Sequence, residues 1–260
     1  MSQELEWYDS IWLNRYFDAR DILSKVAPSR LPDFEAAMAV FRTDPSFEVK
    51  SVRGFLDARE LRDIRETIAA IPREKLELHE VKAFGRLVVH RWPPFVEMQA
   101  RIVDFVSELA GERVEPCYNF LSLYSWRGVC EPHLDTPSAK WTFDLCIDQS
   151  AIWPISFSPI IPWPEDREAL VEDWRAIKDG RSDYAFQSLE LEPGDALLFS
   201  GANQWHMRDP IPAKGRRSFC DLLFFHYIPE GTAELAQPRN WARLFDVPEL
   251  DTITGIEQQT

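Results

Sequence analysis

The sequence predicts an α+β fold in which a jelly-roll-like β core is buttressed by N-terminal helices. Three observations predict it. Through about residue 115, apolar positions recur at helical spacing. Beyond that point the period shortens to that of strands, in short runs separated by turn residues. A single acidic segment at 164–180 returns to helical spacing, as an insertion would. The expected organisation is a mainly helical region over 1–115 that packs on the core, a β core over 116–230 carrying the helical insertion 164–180, and a C-terminal extension over 231–260.

The elements follow in order. LPDFEAAMAVF (31–41) has few helix breakers after Pro32. FLDARELRDIRETIAAIP places Leu61, Ile64 and Ile68 on one stripe, with Asp57 as N-cap and Pro72 as a stop. PFVEMQARIVDFVSELAG starts at a proline and ends at Gly111, and Phe95, Met98, Ile102, Phe105, Val106 and Leu109 give it one apolar face. Strands are expected at 118–125, 140–147, 153–158, 186–192, 195–200 and 216–228. Arg127-Gly128, Pro193-Gly194-Asp195 and Lys214-Gly215 mark turns between them. In the insertion, Leu170, Val171, Trp174 and Ile177 share a helical face that ends at Gly180.

Composition narrows the function classes. With 45% hydrophobic and 13% aromatic residues, the 260-residue chain can bury a sizeable core, which excludes disorder throughout. Ten Trp and seventeen Phe are enough for some to line a cavity, and Trp126, Trp153, Trp163 and Trp205 are candidate walls as well as candidate core residues. A formal charge of −14 repels phosphate backbones and anionic bilayers, so neither nucleic acid nor membrane is an expected partner. Cys117, Cys130, Cys146 and Cys220 show no CxxC spacing and read as reduced thiols. The N-terminus lacks the basic and apolar regions of a cleaved signal, and no run approaches the ~20 apolar residues of a membrane span. A cytoplasmic protein is expected.

The chemistry concentrates in two stretches. In CEPHLDTP (130–137), His133 and Asp135 are spaced i, i+2, which in an extended strand sends both side chains to one face. In GANQWHMRDP, His206 follows the strand DALLFS. Two histidines and one carboxylate on adjacent strands form a facial triad, leaving one side of an octahedral metal open. That suits non-haem Fe(II), which can then take a chelating co-substrate and O₂. A structural zinc site would want four closed ligands. Beyond His206, GRRSF opens an apolar strand with Arg216, Arg217 and Ser218. A guanidinium at the mouth of an apolar barrel calls for an anion and matches a carboxylate bidentately. Arg216 and Ser218 share a strand face and can grip a small dicarboxylic acid, while a one-residue slip would exchange Arg216 for Arg217. Plainer readings stand beside these. Asp135 also reads as a turn residue before Thr-Pro, Tyr124 as a core strand residue, and either arginine as a surface charge at strand entry. His79, His90 and His226 read as structural.

On these residues the chain resembles the 2-oxoglutarate- and Fe(II)-dependent dioxygenases. LYSWRGVCEPHLD is similar to the tyrosine, glycine and EPHxD pattern of the prolyl-4-hydroxylase-like branch, LEPGDALLF to its strand before the distal histidine, and RRSF to the RxS motif of other branches. The likeness spans roughly residues 117–228. It implies a double-stranded β-helix (jelly-roll, cupin-like) core, with His133, Asp135 and His206 as iron ligands. Arg216 or Arg217, with Ser218 and Tyr124, would hold 2-oxoglutarate. The implied activity is hydroxylation of a small metabolite or natural-product intermediate with O₂. The alternatives are a peptidyl hydroxylase, or a cupin-like metal-binding protein without oxidative chemistry. Two departures speak against a prolyl substrate: arginine stands where that branch usually has lysine, and Cys130 replaces an aromatic residue before EPH. The carboxylate at Asp135 speaks against the related halogenases.

Overall fold

In this computed structural model, residues 4–163, 166–212 and 216–254 are described. Helix α1 (Ile11–Val26) turns Trp12, Leu13, Tyr16, Phe17 and Leu23 inward at helical spacing. Helix α2 (Leu31–Met38) takes Pro32 in its first turn, where no N–H is needed. Helix α3 (Ala58–Ala69) is fixed at its start by a capping box. The Asp57 carboxylate accepts from the backbone of Arg59 and Glu60, and Glu60 reaches back to the Asp57 N–H. The single helix expected over 94–111 is two, α4 (Pro93–Arg101) and α5 (Val103–Ala110), because Ile102 leaves helical geometry at φ −102°, ψ 11°. Gly111 ends the pair in the left-handed region at φ +74°. Helix α6 (Arg167–Lys178) is the expected insertion, capped by Asp166, and α7 (Trp241–Phe245) lies in the C-terminal extension.

The first 115 residues are not purely helical. They supply β1 (Lys50–Val52) and β2 (Arg86–His90), both of which join a sheet of the core. The remaining strands are β3 (Val114–Tyr124), β4 (Cys130–His133), β5 (Trp141–Gln149), β6 (Ile155–Phe157), β7 (Gln187–Leu189), β8 (Ala196–Phe199), β9 (His206–Arg208) and β10 (Cys220–Pro229). They form a six-stranded sheet, β1-β8-β5-β10-β3-β2, facing a four-stranded sheet, β4-β9-β6-β7, with every pairing antiparallel. The strand expected over 216–228 starts at Cys220, and the one expected over 186–192 is confined to β7. The Lys214-Gly215 turn lies outside the described residues.

The period of two sorts β10 into two faces. Leu223, Phe225 and Tyr227 pack outward with Phe95 and Val106 of α4 and α5. Leu222 and Phe224 point between the sheets, toward Tyr124, Trp153, Ile155 and Phe199. A third cluster joins the termini: Trp12 and Phe34 from the N-terminal helices meet Trp241 and Leu250 of the extension, and Trp205 carries this cluster to the edge of the β core. Truncating a fully buried ring such as Phe143 to alanine would cost about 3–5 kcal/mol. Among the described residues, the four cysteines are free, and no helix is long and apolar enough to cross a membrane.

One pairing works against stability. Asp221 of β10 stands opposite Asp148 of β5, and like charges in that position repel. Burial, then Asp148, push the Asp221 carboxyl up to about 7, although Arg65 lies 3.3 Å from Asp148. A carboxyl that binds its proton more tightly folded than unfolded (about 3.9 in model peptides) loses stability as pH rises from the lower value through the higher. Asp221→Asn is therefore expected to raise the melting temperature at pH 8 and to have no such effect near pH 4, as paired thermal melts would check.

Candidate metal centre

Strands β4 and β9 are neighbours, and their register sets His133 directly opposite His206. Opposed residues project to the same face of a sheet, and the two imidazole centroids lie 4.1 Å apart. Each ring is held by its other nitrogen. Nδ1 of His133 donates to the Glu131 carbonyl at 2.9 Å and Nδ1 of His206 to the Gln204 carbonyl at 3.0 Å. A carbonyl can only accept, so each Nδ1 keeps its proton and Nε2 is the atom each ring has left to offer a metal. Each Nε2 lies 3.5 Å from Oδ1 of Asp135.

Asp135 owes its place to loop anchoring and not to strand alternation, since β4 ends at His133. Its N–H donates to the Gly201 carbonyl at 2.9 Å, and the Thr142 hydroxyl donates to its Oδ2 at 3.1 Å. Gly201 is required there, because a Cβ would stand 2.1 Å from Oδ2. Gly201→Ala is expected to displace the carboxylate and weaken divalent-metal binding by about 10- to 100-fold, the range seen when contacts around a ligand are disturbed. A Ni(II) titration of the folded variant would check it.

All three residues are buried, and one ligand atom from each lies within 4.8 Å of the others. A cation about 2.1 Å from each atom wants donors roughly 3 Å apart, close to the spacing found. Two imidazoles and one carboxylate without thiolates fit an octahedral cation with open positions better than a closed zinc site. Burial favours the neutral acid at Asp135, but His206 and His133 outweigh it and hold the carboxyl well below the usual range. Burial and then the charge of His133 push His206 down. Burial also opposes charge on His133, yet the Cys130 sulfur and Asp135 outweigh it and raise that group. Protons and metal compete for one cage, so metal affinity rises with pH.

The triad lines a cavity between the sheets. On its wall, Arg86 of β2 donates through Nε to Glu80 and through Nη1 to the Tyr124 hydroxyl, the latter at 2.7 Å. The Tyr124 oxygen is thereby an acceptor toward Arg86, and its own proton is left for another acceptor. Tyr8 donates to the second Glu80 oxygen at 2.8 Å and meets the Phe84 ring edge-on. Arg208, two residues past His206, is held by Asp144 at 2.8 Å and by the Trp153 carbonyl.

The structure brings His133, Asp135, His206 and Tyr124 to this cavity and leaves the expected anchors outside it. Arg216 and Arg217 are exposed and do not line it, and the buried Ser218 donates to the Pro212 carbonyl at 2.9 Å. The alternation assumed for them fails because β10 begins only at Cys220. The cations that do line the cavity, Arg86 and Arg208, were missed. Arg208 had a signal, since the i, i+2 logic of His133 and Asp135 applies equally to His206 and Arg208 on β9. Arg86 had none, because its position depends on β2 pairing with β3.

Comparison by sequence finds no matching family model and no matching curated protein. Comparison by structure finds many matches. HygX from Streptomyces hygroscopicus, with nickel and 2-oxoglutarate bound, matches at a TM-score of 0.54 and 12% identity, over 70% of this chain and 83% of that one. SnoK, a non-haem alpha ketoglutarate dependent carbocyclase from nogalamycin biosynthesis, matches at 0.53 and 11%, over 72% and 85%. SnoN, an epimerase of the same kind and biosynthesis, matches at 0.52 and 18%, over 78% and 89%. At these identities the likeness is one of fold. The chain has the double-stranded β-helix fold of the 2-oxoglutarate- and iron-dependent oxygenases, and the matches do not single out the prolyl-hydroxylase-like branch.

Proposed function

We propose that the protein is an Fe(II)- and 2-oxoglutarate-dependent dioxygenase that hydroxylates a small metabolite or natural-product intermediate. His133, Asp135 and His206 serve as iron ligands, and Arg86 with Tyr124 holds the distal carboxylate of the co-substrate. The observation that carries the reading is the convergence of two imidazole Nε2 atoms on a buried carboxylate, beside a guanidinium and a phenol O–H fixed on the same cavity wall. When bound, the metal and 2-oxoglutarate supply O₂-dependent oxidation, with 2-oxoglutarate leaving as CO₂ and succinate.

The chain's own residues bind, orient and shield. The carbonyls of Glu131 and Gln204 hold the imidazole tautomers, and Thr142 with Gly201 holds the carboxylate. Glu80 fixes the plane of the Arg86 guanidinium, so its remaining N–H groups and the Tyr124 proton point at one anion. Phe84, Phe120 and Phe224 exclude water from the space that remains. The N-terminal turn closes the top. Trp7 packs on Trp174 and Trp205, and Tyr8 is tied to Glu80. That closure favours a small substrate over an extended peptide, which needs an open groove.

The test is incubation with Fe(II), ascorbate, 2-oxoglutarate and O₂. Succinate formed without added substrate is expected, and a product one oxygen atom heavier than a turned-over substrate would identify hydroxylation. No succinate and no 2-oxoglutarate binding would favour a non-oxidative, cupin-like protein instead.

A further inference from the structure

Two groups in the cavity are used neither by the metal nor by the co-substrate. Asp9, on the turn before α1, lines the cavity together with His133 and Asp135. It is partly buried, and among the described residues its carboxylate has no hydrogen-bond or ion-pair partner. Neither guanidinium of the cavity hydrogen-bonds to it: Arg86 is bonded to Glu80 and Tyr124, and Arg208 to Asp144. It also lies outside the ligand set of His133, Asp135 and His206.

The second group is His226 of β10, 3% exposed and stacked on Tyr118 with centroids 4.1 Å apart. Its hydrogen bonds can be resolved by counting protons. Thr142 has one hydroxyl proton, and the Asp135 carboxylate can only accept it. The Thr142 oxygen, 3.1 Å from Nδ1 of His226, must therefore accept from that nitrogen. Burial pushes His226 down to about 4, so the ring is neutral and its Nε2 carries a lone pair. Among the described residues that Nε2, buried in the wall of the cavity, has no hydrogen-bond partner. A carboxylate and an imidazole lone pair both demand a donor, which a dicarboxylate co-substrate does not offer.

Charge points the same way. Glu80 neutralises Arg86 and Asp144 neutralises Arg208. With a divalent metal and a dicarboxylate seated beside Asp135, the site is negative before Asp9 is counted, and burial and then Asp135 push the Asp9 carboxyl up to about 7. Holding it as a carboxylate calls for a cation beside it, in a space walled by Phe84, Tyr118, Phe120 and Phe224. Aromatic faces and a carboxylate together favour an organic cation. We propose that the substrate carries a protonated amine, seated between the Asp9 carboxylate and the His226 Nε2 in the aromatic part of the cavity. This rests on the dioxygenase reading for the identity of the site, and it adds the chemical class of the substrate.

The test uses benzylamine and its neutral counterpart benzyl alcohol as probes, titrated calorimetrically into the protein loaded with Ni(II) and 2-oxoglutarate. Benzylamine is expected to bind at least about tenfold tighter than the alcohol, equivalent to 1.4 kcal/mol. Asp9→Asn is expected to abolish that preference while Ni(II) and 2-oxoglutarate binding stay as in the wild type. His226→Phe keeps the ring stack, removes the lone pair, and is expected to weaken benzylamine alone. Equal binding of the two probes, no binding of either, or a preference that survives Asp9→Asn would overturn the proposal. Failure of Ni(II) and 2-oxoglutarate to bind at all would instead overturn the dioxygenase reading, and the probes can then be compared on the metal-free protein.

Discussion

Asp135→Ala is expected to abolish metal binding while the chain stays folded. Asp135 is the one anion of the triad, and each imidazole Nε2 is aimed at its Oδ1. Without it the cation faces two neutral nitrogens, and affinity is expected to fall by more than the roughly 100-fold that disturbing an outer contact produces. The fold does not depend on the charge, because the pairing of β4 with β9 and the packing of Trp205 remain. The readout is thermal. A ligand at 100 times its Kd adds about 2.7 kcal/mol to stability. Wild-type protein should therefore melt several degrees higher with saturating Ni(II), and Asp135→Ala should show no shift. An equal shift in both would remove the metal assignment.

Replacing Arg86 has the next largest expected effect. Arg86→Lys keeps a cation beside the buried Glu80, so the chain avoids the roughly 3–5 kcal/mol cost of stranding that carboxylate. It loses the planar fork that addresses Glu80, Tyr124 and an incoming carboxylate together. Losing one charge-assisted bond of about 1.5–3 kcal/mol corresponds to a 2-oxoglutarate Kd raised by roughly 10- to 150-fold, with metal affinity unchanged. Arg216→Ala and Arg217→Ala should leave that Kd alone, since both side chains are exposed outside the cavity. The reverse pattern, measured by calorimetry, would put the anchor on the segment before β10.

The parts of the fold that were legible are those with local causes. Asp57 and Glu60 cap α3 through their own backbone, and the insertion shows its stripe of Leu170, Trp174 and Ile177 in the chain itself. The grouping of His133, Asp135 and His206 was legible for a related reason: His133 and Asp135 are close in sequence, and His206 follows a turn that strand patterning locates. What resisted reading depends on partners far away. Whether position 216 or 220 starts β10 is decided by pairing with β3 and β5, so the anchor arginines were placed on a strand that does not reach them. Arg86 enters the cavity only because β2 adds to the edge of β3. His226 read as structural, yet alternation along Leu222, Phe224 and His226 carries it inward.

The central claim is that His133 and His206 on adjacent strands and Asp135 on the loop after β4, with Arg86 also lining the cavity, hold a metal and a dicarboxylate together. A crystal structure of the protein with Ni(II) and 2-oxoglutarate, with the metal located by its anomalous scattering, tests it most directly. The account predicts one metal about 2.1 Å from Nε2 of His133, Nε2 of His206 and a carboxylate oxygen of Asp135, with the far carboxylate of 2-oxoglutarate on Arg86 and Tyr124. An anomalous peak elsewhere, or a cavity containing neither group at saturating concentrations, would contradict it.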